Sequence, residues 1–250
     1  MVLGHTGSLT FFYSDDKGWG YKIDIVKRVK IFDTDGKDKA NVTLVLYDPV
    51  HGSKREAYAG LRGATYNLLE GKMEKTKLEN KEIFAKRLSD YRVKVSFTMP
   101  NVKEGSVIEY KYTINSNYIT NLYEWHFQED MPTRFSEFDY RIPEFFNYRE
   151  SQVGSILTLD REVKNTGEQF TYHWETLPRA GQNPERRTSI LDSDSKWTRS
   201  AARNVPALVD EPFMNNRPNL PARLEFQLMS FQMPGGKFNP VASSYEVFNK

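Results

Sequence analysis

The stretch that decides the fold is YKIDIVKRVKI, residues 21–31. Apolar side chains stand at most of its odd positions and polar side chains at most of its even positions, a period of two that is typical of a β-strand with one buried face. Only Val26 and Lys27 break the pattern. Residues 33–36, Asp-Thr-Asp-Gly, then supply turn-forming side chains. This stretch therefore predicts a half-buried strand that ends in a tight turn.

The same alternation recurs along most of the chain, and turn-forming residues separate the segments. The segments predicted as strands are residues 42–46, 91–99, 107–114, 122–127, 134–142, 169–175 and 223–233. Strands do not alternate with helices, as a doubly wound sheet would require. We therefore predict an all-β fold, a large antiparallel β-sandwich.

Two segments depart from this pattern. Residues 178–204 are rich in polar and turn-forming side chains, which predicts a polar loop or a short helix. Residues 243–248 resemble the start of a helix, because Ser243 and Glu246 have the spacing of a capping box. We expect a domain boundary near Pro240, with a β-sandwich over residues 1–240 and the start of a further domain over residues 241–250.

The composition limits the classes of function. Of the 250 residues, 35 are Lys or Arg and 33 are Asp or Glu, so the formal charge is +2. This even balance argues against nucleic acid as a partner. The chain contains no cysteine, which excludes disulfides, thiolate metal sites and a cysteine nucleophile within these residues. No apolar run approaches the roughly 20 residues of a membrane-spanning helix, and no signal peptide is visible.

The residues give little support for catalysis or metal binding. His126 with Glu124, and His173 with Glu175, could each share a strand face and together supply metal ligands, but ordinary polar alternation also explains both pairs. No H-x-x-x-H spacing and no G-x-S-x-G motif occurs. We therefore predict no metal, no cofactor and no catalytic residue in this chain.

Aromatic side chains are concentrated over residues 118–148, where ten occur in 31 residues. Successive strand residues face opposite sides, so some of these rings are expected on an outer face, where they could contact another domain, a polypeptide or a sugar. A two-sheet core with ordinary exposed tyrosines is the alternative. The candidate binding residues are Tyr123, Trp125, His126 and Phe127 within this aromatic band and Trp197 outside it.

Several segments resemble a family of unknown function that lies N-terminal to transglutaminase-like domains in envelope proteins of Gram-negative bacteria. The resemblance is carried by residues 21–36, 64–67, 97–112, 125–128 and 142–144, in that order along the chain. It implies an immunoglobulin-like β-sandwich, a periplasmic or envelope location and a transglutaminase-like module beyond Lys250. The nucleophile of that module is a cysteine, so the resemblance transfers no catalytic residue to this chain.

Three functions follow from these observations. The first is a non-catalytic scaffold that packs against a C-terminal transglutaminase-like domain, with the aromatic band and residues 205–212 as candidate contacts. The second is a carbohydrate- or peptide-binding module that presents exposed Tyr123, Trp125 or Trp197 as stacking platforms for a polypeptide or a cell-surface glycan. The third is an enzyme in its own right, a glycosidase or another hydrolase that uses His126.

Overall fold

The structure is a computed structural model that describes residues 1–154, 157–175, 185–208, 221–233 and 236–241. Strands make up 67% of it and helix 4%, so the predicted all-β class is confirmed. The helical residues form two short 3₁₀ helices, Asp35–Ala40 and Asn80–Glu82. Within these ranges no helix is long and apolar enough to cross a membrane.

The strands of the described residues follow one another as β1 (Val2–Ser14), β2 (Gly18–Lys30), β3 (Asn41–Tyr47), β4 (Glu56–Leu69), β5 (Lys72–Lys77), β6 (Ile83–Ser89), β7 (Arg92–Thr98), β8 (Val107–Ser116), β9 (Trp125–His126), β10 (Thr133–Pro143), β11 (Phe146–Val153), β12 (Asp160–Glu175), β13 (Arg186–Val205), β14 (Arg223–Phe231) and β15 (Asn239–Pro240).

These strands form three sheets. The large sheet has eight strands in the order β12-β13-β10-β1-β2-β8-β4-β5. A four-stranded sheet contains β9, β11, β14 and β15, and a three-stranded sheet has the order β3-β7-β6. Strand β1 pairs with β10 in parallel, and every other strand pair within the described residues is antiparallel. The antiparallel sandwich is thus confirmed, with one parallel pair at its centre.

Both smaller sheets pack on the same face of the large sheet, which we call its inward face. Phe11 of β1 stacks on Phe146 of β11 at 5.1 Å between ring centroids, and Phe97 of β7 contacts Tyr110 of β8 at 5.7 Å. The alternation of apolar and polar residues places the apolar side chains on the inward face. The odd residues of 21–31 apart from Lys27, and the even residues of 108–114, have buried side chains. Each such apolar side chain contributes roughly 1.5–3 kcal/mol by its removal from water.

Residues 186–204 are neither a polar loop nor a short helix, as the sequence pattern suggested, but most of β13, which pairs with β12 and β10. The error arose because the buried positions of this strand carry small or hydroxyl side chains. Ser193 and Ser195 are buried, and Ser195 Oγ donates a hydrogen bond to Glu168 Oε2 at 2.6 Å. Residues 178–184 and the predicted helix start over residues 243–248 lie outside the described residues.

Trp125 joins the four-stranded sheet to the centre of the large sheet. Its fully buried ring stacks on Phe138 of β10, with 5.0 Å between centroids and 5° between ring planes. The indole Nε1 donates a hydrogen bond to Ser136 Oγ at 3.1 Å. The ring also lies directly on Gly7 of β1, where a Cβ atom would come within 2.3 Å of it. Only glycine leaves room for the indole at this position.

We predict that Gly7→Ala lowers the free energy of unfolding by about 1–3 kcal/mol, because the added methyl group overpacks the contact with Trp125. Gly4→Ala on the same strand is the matched control, since no atom lies within 4 Å of a Cβ there, and it should change stability by less than about 0.5 kcal/mol. Urea unfolding followed by tryptophan fluorescence measures both. Equal stability of the two variants would show that the Trp125 ring is not held against Gly7.

Candidate functional site

A cleft opens between the large sheet and strand β3 of the three-stranded sheet. Its floor is a row of three inward-facing residues on adjacent strands, His5, Lys27 and Tyr110, which are paired by the sheet register. The cleft has a volume of about 380 Å³. Its walls come from β3 and from the segment that precedes β10, which carries Tyr123, Glu124, Trp125, His126, Gln128 and Glu129.

Glu129 is the centre of the polar contacts in this cleft. Lys27 Nζ donates to Glu129 Oε1 at 2.5 Å and also to Oε2, and His5 Nδ1 lies 3.4 Å from Oε1. All three side chains are largely buried, with Glu129 23% exposed. Lys27 stands in phase with the buried apolar positions of β2, so its ammonium group is directed to the inward face. The carboxylate of Glu129 compensates that charge.

The environment keeps Glu129 ionised. Burial alone would raise the pKa of its carboxyl group, but hydrogen bonding to His5 and the charge and hydrogen bond of Lys27 outweigh it and lower the pKa to about 2. Burial also lowers the pKa of His5, against the opposing effect of Glu129, so the imidazole favours its neutral form. The cluster therefore holds one anion, one cation and a neutral ring.

His126 and the tyrosines complete the cleft. His126 Nε2 lies 3.7 Å from Glu124 Oε2, and burial lowers the pKa of this imidazole although Glu124 opposes the shift. Burial raises the pKa of Tyr110, Tyr112 and Tyr123, so their hydroxyls stay protonated. The cleft thus presents neutral hydrogen-bonding groups around a charge pair that is already satisfied.

The described residues of the cleft pair no aliphatic hydroxyl with an imidazole. Among the described residues that line the cleft, Thr43 has the only aliphatic hydroxyl, and no hydrogen bond joins it to His5. The imidazole of His5 instead lies against the indole of Trp125, with 4.2 Å between centroids. No group of three or more His, Asp or Glu side chains with metal-binding geometry occurs in the part of the chain that the structure describes.

The structure brings three of the five predicted site residues to the cleft: Tyr123, Trp125 and His126. Trp125 and Phe127 are buried, however, so neither can serve as an exposed stacking platform. Trp197 lies on the opposite, outward face of the large sheet. Its Nε1 donates to Asp139 Oδ1 at 3.2 Å, and Lys164 Nζ lies 5.3 Å above its ring.

Most of the aromatic band belongs to the core, but Phe135 lies on the outward face of β10, where Arg203 stands 4.7 Å above its ring. Its members are buried or half-buried, and none is among the exposed large apolar side chains of the described residues. Phe135 meets the expectation that some of these rings lie on an outer face, although it is half-buried. The rings of Trp125, Phe138 and Tyr140 pack between the large sheet and the four-stranded sheet.

The three residues of the polar cluster in the cleft, His5, Lys27 and Glu129, were not among the predicted site residues. The sequence carried one signal for them, since Lys27 is a charged side chain at a position where the alternation requires an apolar one. Glu129 is 102 positions away from Lys27 and had no distinguishing local pattern.

Comparison with protein families gives one match over residues 21–179, more than half of the chain, to a domain of unknown function with solved structure, DUF3857. The chain belongs to this family. The resemblance to a family of unknown function is thereby confirmed. No curated protein sequence matches the chain.

A crystal structure described as that of a "putative protease" from Parabacteroides distasonis has the same fold. Its TM-score is 0.60 at 14% sequence identity, and the match covers 92% of this chain. The chain spans 40% of the length of the Parabacteroides protein. At 14% identity the similarity shows the shared fold. The protease activity named in the description is that of the longer protein.

The lowered pKa of Glu129 predicts a specific dependence of stability on pH. Its pKa is about 2 in the folded chain and 4.5 as a free side chain, so ionised Glu129 stabilises the fold above pH 4.5, and this contribution is lost as the pH falls toward 2. Glu129→Gln should therefore be strongly destabilised at pH 7, and its difference from the unaltered chain should shrink by on the order of 2 kcal/mol between pH 7 and pH 3.

Urea unfolding at several pH values measures this difference. Glu124→Gln is the matched control, since Glu124 lies in the same segment but is 55% exposed, and its effect should be small at every pH. A constant difference between Glu129→Gln and the unaltered chain from pH 7 to pH 3 would contradict the assignment of Glu129 as the ionised partner of Lys27.

Proposed function

We propose that this chain is a non-catalytic β-sandwich domain that packs against a transglutaminase-like or protease domain and positions it. One observation carries the proposal: the fold covers 92% of this chain but corresponds to 40% of a longer protein that is described as a protease. In that arrangement the sandwich is one part of a larger polypeptide. Its own cleft contains the charge pair of Lys27 and Glu129. Among the described residues that line the cleft, no aliphatic hydroxyl is hydrogen-bonded to a base.

The three-stranded sheet offers the apolar surface that such a contact needs. One of its faces packs on the large sheet, and the other exposes Phe84 and Val45. Tyr47 and Tyr91 lie at one end of this sheet with parallel rings, 6.2 Å apart. We assign the interdomain contact to this exposed face rather than to the aromatic band, most of which packs in the core.

The other contact that the sequence suggested receives less support. Within residues 205–212, Val205 is buried as the last residue of β13, and residues 209–212 lie outside the described residues. A periplasmic or cell-envelope location is part of the proposal and rests on the family resemblance alone. A polypeptide or glycan ligand is not favoured by the three rings put forward as platforms. Trp125 is buried, Tyr123 is half-buried and hydrogen-bonded to Tyr112, and Trp197 already contacts Asp139 and Lys164.

If the exposed face of the three-stranded sheet is the interdomain contact, a substitution on it should lower the affinity of the two domains for each other. Phe84→Ser should weaken association of the chain with the separately produced transglutaminase-like domain of its polypeptide at least tenfold, since a central aromatic residue often dominates an interface. Phe238→Ser is the matched control, because Phe238 is 62% exposed and Phe84 64% exposed, and it should change the affinity less than twofold. Titration calorimetry measures both; no association, or equal losses, would contradict the proposal.

A second prediction concerns activity. The purified chain should hydrolyse neither casein nor peptide amides and should not form glutamine–lysine cross-links above the rate without protein, because its cleft holds no activated nucleophile. Mass spectrometry of the reaction mixtures is the measurement. Turnover that disappears in His126→Ala or His5→Ala, while the fold is retained, would show instead that the chain is a hydrolase in its own right.

A further inference from the structure

The outward face of the large sheet divides into two halves of different charge. Over β10, β12 and β13, Arg199 pairs with Glu137 and Lys164 with Glu162, while Arg203 lies over the ring of Phe135. Over β2, β8, β4 and β5 the charged outward positions are mainly basic. The register brings together Arg28, Lys30, Arg62, Lys75, Lys77 and Lys111, with Glu109 among them; Asp24, further along β2, accepts a hydrogen bond from Thr113. We call this second group the basic face.

Most of the positive charge on the basic face is uncompensated. Glu109 is occupied by Arg28, whose Nε donates to Glu109 Oε2 at 2.8 Å. Within the described residues, Arg62, Lys77 and Lys111 have no carboxylate within ion-pair distance. These three side chains border one groove of about 480 Å³. A groove lined by unpaired cations attracts anions.

Two exposed apolar side chains extend this face at its edge. Leu68 of β4 and Met73 of β5 are direct cross-strand neighbours, and each is 73% exposed. They lie two positions from Tyr66 and Lys75, which are paired in the same ladder, so all four side chains share the outward side of the hairpin. The turn that joins the strands uses positive φ angles at Glu70 and Gly71, +48° and +78°. An apolar tip therefore stands beside the cationic groove.

This combination fits one class of partner. A soluble polyanion such as a charged polysaccharide would engage the cations but would leave Leu68 and Met73 in water. A bilayer with anionic phospholipids offers phosphate groups for the cations and an apolar layer just below them for the tip. Lysine and arginine stems can also lie along the interface while their charged ends stay in the headgroup region.

We propose that the basic face docks on the surface of a bilayer that contains anionic phospholipids. In the docked state Arg62, Lys77 and Lys111 contact the phosphate groups, and Leu68 and Met73 enter the boundary between headgroups and acyl chains. This surface lies on the large sheet, opposite the inward face that carries the three-stranded sheet. A docked membrane and a docked domain would therefore occupy different sides of the molecule.

Co-sedimentation of the whole chain with vesicles tests the electrostatic part. Vesicles of phosphatidylcholine with about one-third phosphatidylglycerol should bind the chain, vesicles of phosphatidylcholine alone should not, and binding should weaken from 50 to 500 mM salt as the charges are screened. Lys77→Glu with Lys111→Glu should lower affinity at least tenfold, since one basic residue near an anionic membrane contributes about fivefold. Lys54→Glu with Lys86→Glu changes the net charge equally at two exposed positions elsewhere and should retain most of the binding.

Separate variants test the contribution of the apolar tip to vesicle binding. Leu68→Ser with Met73→Ser should weaken vesicle binding at least fivefold and leave binding to heparin unchanged. Val163→Ser with Ile190→Ser replaces two exposed apolar residues elsewhere on the large sheet and should have no effect on either. Because the chain contains no cysteine, Leu68→Cys can be labelled with an environment-sensitive dye, whose emission should shift to the blue on anionic vesicles, while a label at Ile190→Cys should not shift.

Three results would overturn the proposal. Binding to heparin without binding to anionic vesicles would identify a soluble polyanion as the partner. Equal losses in the two charge-reversal variants would show that only net charge matters. Vesicle binding without a shift of the label at position 68 would show that the tip stays in water. None of these results bears on association through Phe84, so the failure of this proposal and that of the scaffold proposal are distinguishable.

Discussion

The contact of Trp125 with Gly7 is the constraint that holds the four-stranded sheet against the large sheet. Strand β9, which contains Trp125, pairs with β14 in the four-stranded sheet, while the indole ring lies on β1 and β10 of the large sheet. The same segment continues to His126 and Glu129, which form one wall of the cleft. Fixing the indole therefore fixes both the position of a smaller sheet and the groups that meet Lys27.

The Lys27–Glu129 pair is a costly way to fill an inward position. An apolar residue in phase with Ile25 and Val29 would avoid the loss of hydration of two ions, and replacement of buried ion pairs by apolar residues often stabilises proteins. Lys27 does, however, require an acidic side chain beside it, so the ion pair specifies that Glu129 lies at this point of the sheet. This specificity is consistent with a cleft whose shape is set by polar contacts between β2 and the segment before β10.

The sequence predicted those strands whose two faces differ clearly. Residues 21–31 and 107–114 alternate because one side contacts the core and the other water, and the structure confirms both. Strand β13 was missed because serine and alanine occupy its buried positions, where neighbouring side chains leave little space. Of the charged cluster in the cleft, only Lys27, which stands at an apolar position of the alternation, was visible locally. Its partner is brought near by tertiary structure, which no local pattern encodes.

The parallel pairing of β1 with β10 has a consequence for synthesis on the ribosome. Val2 lies beside Thr133, so β1 leaves the ribosome roughly 130 residues before β10, one of its two neighbours. At usual elongation rates this delay is on the order of ten seconds. During that interval β1 can form a hairpin with β2, but its other edge, together with Leu9 and Phe11, remains open to wrong partners.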